Sequence, residues 1–206
     1  MSEITLYDLE LSGNCYKARL MLSLLGQAYR RVPVDFMRGE HKASPLLDKN
    51  PFGELPVLEH GAHQFRDSQA ILVYLARKYG GDDWLPTDAS EMAEVMQWLM
   101  VAENEIARGP GDARLHDFFG YAIDVTAARE RAARTLNIIE RHLGGRDWLA
   151  LGRATIADVA CFPYIALGHQ GGVGLAAYPA IRAWIGRIAT LPGFIEMPGL
   201  QYVHGG

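Results

Sequence analysis

Cysteine is scarce in this chain of 206 residues, where Cys15 and Cys161 are the only two. Two thiols are too few for a disulfide framework and too few for a zinc site built from thiolates. The histidines other than His41 show no metal-ligand spacing. The sequence therefore predicts no metal site, and it predicts that both cysteines remain free thiols.

The chain also has no excess of basic residues and no long apolar run. The chain has 20 Lys and Arg against 24 Asp and Glu, for a net charge of -4, and it has no polybasic stretch. Nucleic acid is therefore not an expected partner. No apolar run approaches the roughly 20 residues that span a bilayer. The start at Met1-Ser2-Glu3 lacks a basic and apolar leader. We expect a cytoplasmic protein with no membrane partner.

The first part of the chain carries strand and helix patterns in the order βαβ and then ββα. Pro33 lies inside the second strand pattern and cannot donate to a ladder, so we expect that strand at the sheet edge. This order predicts a thioredoxin-like domain over residues 1–80. The predicted strands are Ile4 to Leu9, Tyr29 to Phe36, and a hairpin around Val57-Leu58 and Gln64-Phe65 that turns at Gly61; the predicted helices are Cys15 to Leu25 and Ser68 to Tyr79.

The second part of the chain loses its strand signals after a Gly-Gly-Asp-Asp break at Gly80. We predict a linker over residues 81–91 and an all-α domain over residues 92–206. Thr155 and Asp158 have the spacing of a capping box, which serves folding. The fold class is thus α/β followed by all-α. Helical spacing covers Ala93 to Ala107, Leu115 to Leu143, and the repeat Ile181, Trp184, Ile185 and Ile188.

Two elements offer contacts for a ligand: a strand that begins with a proline and a helix that begins with a serine. Pro56 precedes the apolar pair Val57-Leu58. If Pro56 is held cis, neighbouring backbone groups at the strand start are left to pair with a peptide-like ligand. Asp67-Ser68 opens the next helix, whose unpaired N–H groups and positive dipole suit a carboxylate.

A second motif, Ser12-Gly13-Asn14-Cys15, has the spacing of a Cys-x-x-Cys redox motif with serine in the leading place. A hydroxyl cannot form a disulfide, so dithiol exchange by the protein alone is excluded. Any thiol chemistry needs a sulfur that a ligand supplies. The alternative is that Ser12 only caps a helix, since serine is among the favoured capping residues. Cys15 and Cys161 fit core positions better than catalytic ones.

Together these motifs resemble the glutathione transferase superfamily, in its serine-type members. The resemblance covers nearly the whole chain, and it implies glutathione as co-substrate, no metal, and a homodimer. The matching segments are Gly53-Glu54-Leu55-Pro56-Val57-Leu58, Asp67-Ser68-Gln69-Ala70-Ile71, Ser12 to Cys15, Gly39-Glu40-His41-Lys42, and Thr155 to Asp158.

The resemblance implies a role for the residues of the first motif and of the loop after the second strand. Ser12 would stabilise the glutathione thiolate. Asn14 would donate a second hydrogen bond to the sulfur, or it would only pack in the turn. His41 and Lys42 would meet the glycyl carboxylate, or they would be solvated polar residues.

The remaining predicted contacts lie at the strand and helix described above. Leu55 directly precedes Pro56 at the start of the strand, and it would offer its backbone to the cysteinyl unit of glutathione. Glu54 departs from the glutamine often found at that position, which leaves its role open. Asp67 has the sign to pair with the γ-glutamyl ammonium, and Ser68 suits the carboxylate of that unit. The alternative for both is helix capping.

The resemblance implies an enzyme that attacks an electrophilic, partly apolar small molecule with glutathione. A rival enzyme is a glutathione-dependent disulfide reductase, because Ser12 and Asn14 resemble the hydroxyl and amide of bacterial relatives. A maleylacetoacetate isomerase is a weaker match, because the Ser-Ser-Cys run of that class is absent. A non-catalytic interaction protein with the same fold is the alternative from another class. Aromatic candidates for the electrophile site are Trp98, Phe118, Phe119, Tyr121 and Tyr164.

Overall fold

The computed structural model describes residues 3–200. Four strands form one mixed sheet in the order β2-β1-β3-β4. The central strand β1 (Ile4–Asp8) is parallel to β2 (Arg30–Pro33) and antiparallel to β3 (Val57–His60), which pairs in turn with β4 (His63–Phe65). The predicted thioredoxin-like strand order is confirmed.

Strand β2 lies at the edge of the sheet, as Pro33 predicts. The strand is shorter than the predicted Tyr29 to Phe36, because it ends at Pro33, which has no N–H for the ladder. One further backbone bond follows, in which the Val34 N–H donates to the Asp8 carbonyl at 2.9 Å.

Three α-helices lie in the described residues of this part of the chain. Helix α1 (Gly13–Leu24) and helix α3 (Ser68–Leu75) pack against each other and on the sheet, close to the predicted bounds. Helix α2 (Leu46–Lys49) lies in the segment that joins β2 to β3. Its Leu46 packs with Val34 and Val57 in a small separate cluster.

Only helices follow among the described residues beyond position 80. None of the helices within residues 3–200 is long and apolar enough to cross a membrane. Helix α4 falls inside the segment predicted as a linker. The helices are α4 (Gly81–Trp84), α5 (Ala89–Val101), α6 (Asp112–Phe119), α7 (Val125–Leu143), α8 (Ile156–Ala166) and α9 (Pro179–Ala189).

Helices α5 and α6 are joined without a break by Ala102–Gly111, which we call the π segment because it is π-helical. Its hydrogen bonds run between residues five apart instead of four, a rare geometry that occurs frequently at functional sites. Pro110 lies inside it and has no N–H to give. A wider turn of this kind shifts the position of the side chains that follow it around the helix axis.

One predicted helix is wrong in extent. The span Leu115 to Leu143 is not continuous, because α6 ends at Gly120, whose φ of 76° is the left-handed conformation that favours glycine. Helix α7 then starts afresh behind Asp124, whose carboxylate accepts the Ala127 N–H at 3.0 Å.

Helix α8 lies at the centre of the second part and packs against both α1 and α5. Its predicted capping box is present: Asp158 accepts the Thr155 N–H at 2.9 Å, and it also accepts from Leu149 N–H and from the Trp184 indole. Burial raises the pKa of Asp158 to about 6. The predicted apolar face of α9, which includes Trp184, is buried against this core.

The two parts of the chain share one apolar core. A single cluster of buried residues contains Leu6 and Leu20 from the first part and Phe162 and Trp184 from the second. Tyr16 of α1 also donates to the carbonyl of Ile195 at 2.6 Å. The relative placement of the two parts is therefore fixed by packing, which fixes the cleft between them.

Candidate active site between the two domains

The loop after β1 is held from several sides. Arg19 forms a buried ion pair with Asp8, at 2.5 and 2.7 Å, and donates to the Glu10 carbonyl at 2.8 Å. The Leu9 N–H donates to the sulfur of Cys15 at 3.3 Å. These contacts fix the backbone of the loop that leads to Ser12 at the start of α1.

Ser12 is the N-cap of α1. Its Oγ accepts the Cys15 N–H at 3.2 Å, and the first turn contains no acidic side chain. A hydroxyl has two lone pairs and one hydrogen, so a cap that uses a lone pair leaves the hydrogen to donate elsewhere. Capping and thiolate binding are therefore compatible roles for Ser12.

Ser12 lines a cavity of about 470 Å³ between the two domains, which we call the site cavity. Six of the predicted site residues meet there, namely Ser12, Asn14, His41, Lys42, Glu54 and Leu55. The facing wall comes from the π segment and the helices around it, with Glu103, Arg108, Leu115, Tyr121 and Tyr164.

Three predicted site residues lie outside the lining of the site cavity. Pro56 is buried behind Leu55, and the peptide bond between them is cis. The Asp67 carboxylate caps α3 by accepting the Ala70 N–H at 2.9 Å. Ser68 follows it and is buried. The cap by Asp67 is observed, and the contacts of all three residues with a ligand stay predictions.

Asn14 has a defined orientation because Lys17 donates from its Nζ to the Asn14 Oδ1 at 2.9 Å. An ammonium group has no acceptor, so the amide oxygen must face Lys17. The Nδ2 donors of Asn14 then face away from Lys17, and Asn14 lines the site cavity. This favours Asn14 as a hydrogen-bond donor to a ligand.

Lys17 is not among the site residues that the sequence predicts. It is 1% exposed, lies 5.4 Å from the centre of the Tyr164 ring, and has no carboxylate within salt-bridge distance among residues 3–200. Burial lowers the pKa of Lys17 to about 8, against an opposing influence of Glu103 and Asp67. The available signal was a lysine three residues after Asn14, on the same side of the helix.

His41 and Lys42 differ in charge state. His41 stacks on Phe36 with ring centres 3.9 Å apart, and its buried Nδ1 has no partner among the described residues. Burial, together with the charge of Lys42, lowers the pKa of His41, so the ring is neutral at pH 7. Lys42 is held by the Phe52 carbonyl at 2.9 Å. Lys42 is therefore the cation at this end of the cavity.

Glu103 is a second residue that sequence reasoning missed. It lies in the π segment, lines the site cavity and accepts a hydrogen bond from Gln69 Nε2 of α3 at 3.3 Å. The Gln69 Oε1 is buried without a partner among residues 3–200. Glu103 thus brings a carboxylate from the second domain next to α3, close to where Asp67 was expected to act.

Tyr164 of α8 lies against the first turn of α1. A Cβ on Gly13 would be 2.8 Å from the Tyr164 ring, so only glycine permits this approach. Tyr164 and Tyr121 line the site cavity, and with Phe119 they also line a smaller adjoining cavity. Trp98 does not belong to the site, because it packs on His142 beside a separate groove.

The predicted core positions of the two cysteines are confirmed. Both side chains are fully buried. Burial raises the pKa of Cys15 to about 12 and also raises the pKa of Cys161. Neither thiol is a usable nucleophile at neutral pH. Within residues 3–200 no group of three or more His, Cys, Asp or Glu side chains could hold a metal ion.

Comparison with known families decides the identity of this arrangement. The model of the glutathione S-transferase N-terminal domain matches residues 6–83, and the model of the C-terminal domain matches residues 92–192. The chain belongs to the glutathione S-transferase family. Glutathione S-transferase 3 of Zea mays is 32% identical to it over 206 residues, covering 94% of this chain and 92% of the relative.

Other members of the glutathione S-transferase family extend this result. A possible glutathione S-transferase from Rhodopseudomonas palustris has a TM-score of 0.86 and 35% identity, covering 95% of this chain and 98% of its own. A glutathione transferase homologue from Drosophila mojavensis, solved with bound glutathione, has a TM-score of 0.84 and 28% identity, covering 93% and 90%. The maleylacetoacetate isomerase of Rhizobium meliloti is 30% identical, covering 94% of each chain. The predicted family, two-part fold and enzyme class are confirmed.

Proposed function

We propose that this glutathione S-transferase holds glutathione in the site cavity with its sulfur beside Ser12, and that the thiolate formed there attacks an electrophilic, partly apolar small molecule. The observation that carries this proposal is the geometry of Ser12, whose cap uses a lone pair and leaves its hydrogen for the cavity. Glutathione is the co-substrate, and no metal takes part.

Thiolate formation needs preferential binding of the charged form. A free thiol has a pKa near 8.5, so only a few per cent is ionised at neutral pH. Each unit by which the pKa falls is about 1.4 kcal/mol, roughly what one charge-assisted hydrogen bond provides. The Ser12 hydroxyl, the Asn14 amide and the N–H groups at the start of α1 are suitable donors. The buried cation of Lys17 acts in the same direction.

The rest of glutathione extends along the first domain. Leu55 offers its backbone to the cysteinyl unit at the point where the chain enters β3 beside Pro56. Lys42 meets the glycyl carboxylate, with neutral His41 beside it. Glu54 is exposed at the rim and has no ion-pair partner among the described residues.

The γ-glutamyl unit lies toward α3. Ser68 and the N–H groups that open α3 bind its carboxylate, and Asp67 pairs with its ammonium. Glu103 is a second carboxylate for that ammonium, because it is bonded to the adjacent Gln69.

The proposed reaction needs only glutathione and the electrophile. The glutathione thiol loses its proton to solvent, and the thiolate sulfur forms a bond to the electrophilic carbon. On a chlorinated aromatic, the carbon–chlorine bond breaks and chloride leaves with the electron pair. The product is a thioether.

A disulfide reductase is the second candidate, and the orientation of Asn14 favours it. Ser12 and Asn14 together provide two donors to a glutathione sulfur, as expected for that activity. Turnover of a mixed disulfide without turnover of a chlorinated aromatic would favour reduction. The reverse result would favour conjugation.

We also propose a cytoplasmic homodimer. The family resemblance is the basis for the dimer, and several large apolar side chains are exposed in the single chain, among them Phe52 and Met100. Free buried cysteines are typical of a reducing compartment. A sizing column with light scattering tests the dimer, and a monomer at micromolar concentration would contradict it.

Calorimetry with glutathione, combined with ultraviolet absorbance of the bound thiolate, tests the main proposal. We expect one site per chain and a thiolate band at neutral pH. Absence of binding at millimolar glutathione would refute the proposal and favour a non-catalytic interaction protein.

A further inference from the structure

Arg114 of α6 is a buried cation that forms no ion pair with any described residue. The residue is 2% exposed, and no carboxylate among residues 3–200 lies within salt-bridge distance of it. Removing a guanidinium from water costs several kcal/mol unless an anion and hydrogen bonds compensate. Burial lowers the pKa of Arg114, which is consistent with the missing partner.

The hydrogen bonds of Arg114 are incomplete within the described chain. Nε donates to Gln170 Oε1 at 2.6 Å, and Nη2 donates to the Leu11 carbonyl at 2.8 Å. The rings of Phe118 and Phe119 lie 5.0 Å from the guanidinium carbon. A guanidinium has five N–H donors, so protein acceptors use two of them. Nη1 has no acceptor among the described residues.

Arg114 lines a cavity of about 110 Å³, which we call the side cavity. Ser12 and Tyr164 line both the side cavity and the site cavity, so the two adjoin where the sulfur is expected. The hydroxyl of Tyr164 is a donor at neutral pH, because burial raises its pKa to about 12. A ligand in the side cavity therefore meets a cation, a hydroxyl and apolar ring faces.

We propose that the side cavity is an anion subsite, in which Arg114 binds a carboxylate or an equivalent anionic group carried by the electrophilic substrate. The inference rests on the proposed function, because it places the electrophile next to a sulfur at Ser12. The substrate class is then an aromatic or unsaturated electrophile that bears one acidic group. Arg114 is a specificity-determining residue and leaves the thiolate chemistry unchanged.

A matched pair of ligands isolates the acidic group. Glutathione displaces chloride from 4-chloro-3,5-dinitrobenzoate to form an aryl thioether that carries a free carboxylate. The methyl ester of the same acid gives a thioether that lacks that charge and carries one extra methyl group. Because both conjugates contain the whole of glutathione, the ratio of their dissociation constants reports the exchange of the carboxylate for the ester, and the change of that ratio in Arg114→Gln reports the contact with the guanidinium.

We expect the wild-type protein to bind the carboxylate conjugate at least tenfold more tightly than its ester, which corresponds to about 1.4 kcal/mol. In Arg114→Gln the ratio should fall to about one. Equal binding of the two conjugates by the wild-type protein would overturn the inference, and so would an unchanged ratio in a folded Arg114→Gln variant.

Two controls separate charge recognition from a structural role of Arg114. Gln170→Ala removes the partner of Nε and keeps the cation, so we expect it to keep most of the tenfold preference. Arg114→Lys keeps the charge with a different shape, and it should retain part of the preference even if the Gln variant fails to fold. A loss of preference in Gln170→Ala as large as that in Arg114→Gln would overturn the inference, because it would mean that packing, rather than charge, sets the ratio.

A parallel titration with glutathione alone distinguishes failure of this inference from failure of the proposed function. If glutathione binds and the ester conjugate binds as well as the acid, the proposed function stands and the anion subsite falls. If glutathione does not bind, both are refuted.

Discussion

Lys17 donates to Asn14 across one turn of α1, from Nζ to Oδ1 at 2.9 Å. The bond connects a side chain that faces the core with one that faces the site cavity. Because the amide oxygen is turned toward Lys17, the amide N–H groups are the part of Asn14 that faces a ligand. This orientation favours the donor role that the sequence left open for Asn14, and that role stays a prediction.

Replacing Ser12 by alanine should separate thiolate stabilisation from glutathione binding. We expect Ser12→Ala to bind glutathione while the thiolate absorbance at neutral pH falls, because the hydroxyl donor is gone. Loss of the α1 cap should also lower the free energy of unfolding by about 0.5–2 kcal/mol. Ser12→Thr keeps a hydroxyl and serves as the control. Unchanged absorbance in Ser12→Ala would assign the role to Asn14 or to the helix end.

A double-mutant cycle tests whether Lys17 acts through Asn14. Lys17→Met and Asn14→Ala should each reduce the bound thiolate. The double variant should lose less than the sum of the two single losses, because both remove the same oriented donor. The measurement is the pKa of bound glutathione from ultraviolet absorbance against pH. Additive losses would show that Lys17 acts only by its charge.

The pH dependence of stability should contain a contribution from Lys17. Its pKa is about 8 in the folded protein and 10.5 as the ordinary value. Between these values the unfolded chain holds more protons, so this residue makes stability rise with pH, and its penalty is fully present below about pH 8. Lys17→Met removes the penalty. We expect the variant to gain stability relative to wild type below pH 8 and to lose that advantage by about pH 10.5.

Chemical denaturation of both proteins across this range gives the difference directly. Comparing them cancels the titration of groups that Lys17 does not influence, such as Cys15. The expected size is about 1.4 kcal/mol for each unit of pKa shift. A difference that does not vary with pH would mean that Lys17 titrates normally.

The charge of Asp67 can be tested without removing its cap. Asparagine caps helices as well as aspartate does, so Asp67→Asn should keep the stability of α3. We expect glutathione binding to weaken by about 1–3 kcal/mol, because the ammonium loses its partner. Ser68→Ala should weaken binding by a similar amount. Calorimetry measures both, and wild-type affinity in Asp67→Asn would assign the ammonium to Glu103.

Sequence reasoning succeeded where the signal is local. The edge position of β2 follows from Pro33 alone, and the capping box at Asp158 follows from spacing over four residues. The break at Gly120 was missed because the apolar residues on both sides continue a helical spacing. Arg114 and Glu103 were missed for a different reason. Their surroundings depend on residues distant in sequence, namely Leu11 and Gln170 for Arg114 and Gln69 for Glu103.

The π segment offers a way to redesign the substrate side of this glutathione S-transferase. Each residue of an α-helix advances the chain by about 100° around the axis and 1.5 Å along it. Deleting one residue between Ala102 and Gly111 would therefore rotate all of α6, including Arg114, by roughly a quarter turn or more relative to α5. A different row of α6 side chains would then face Ser12, so one deletion after Glu103 can exchange the α6 part of the substrate-facing wall while the first-domain contacts with glutathione are kept.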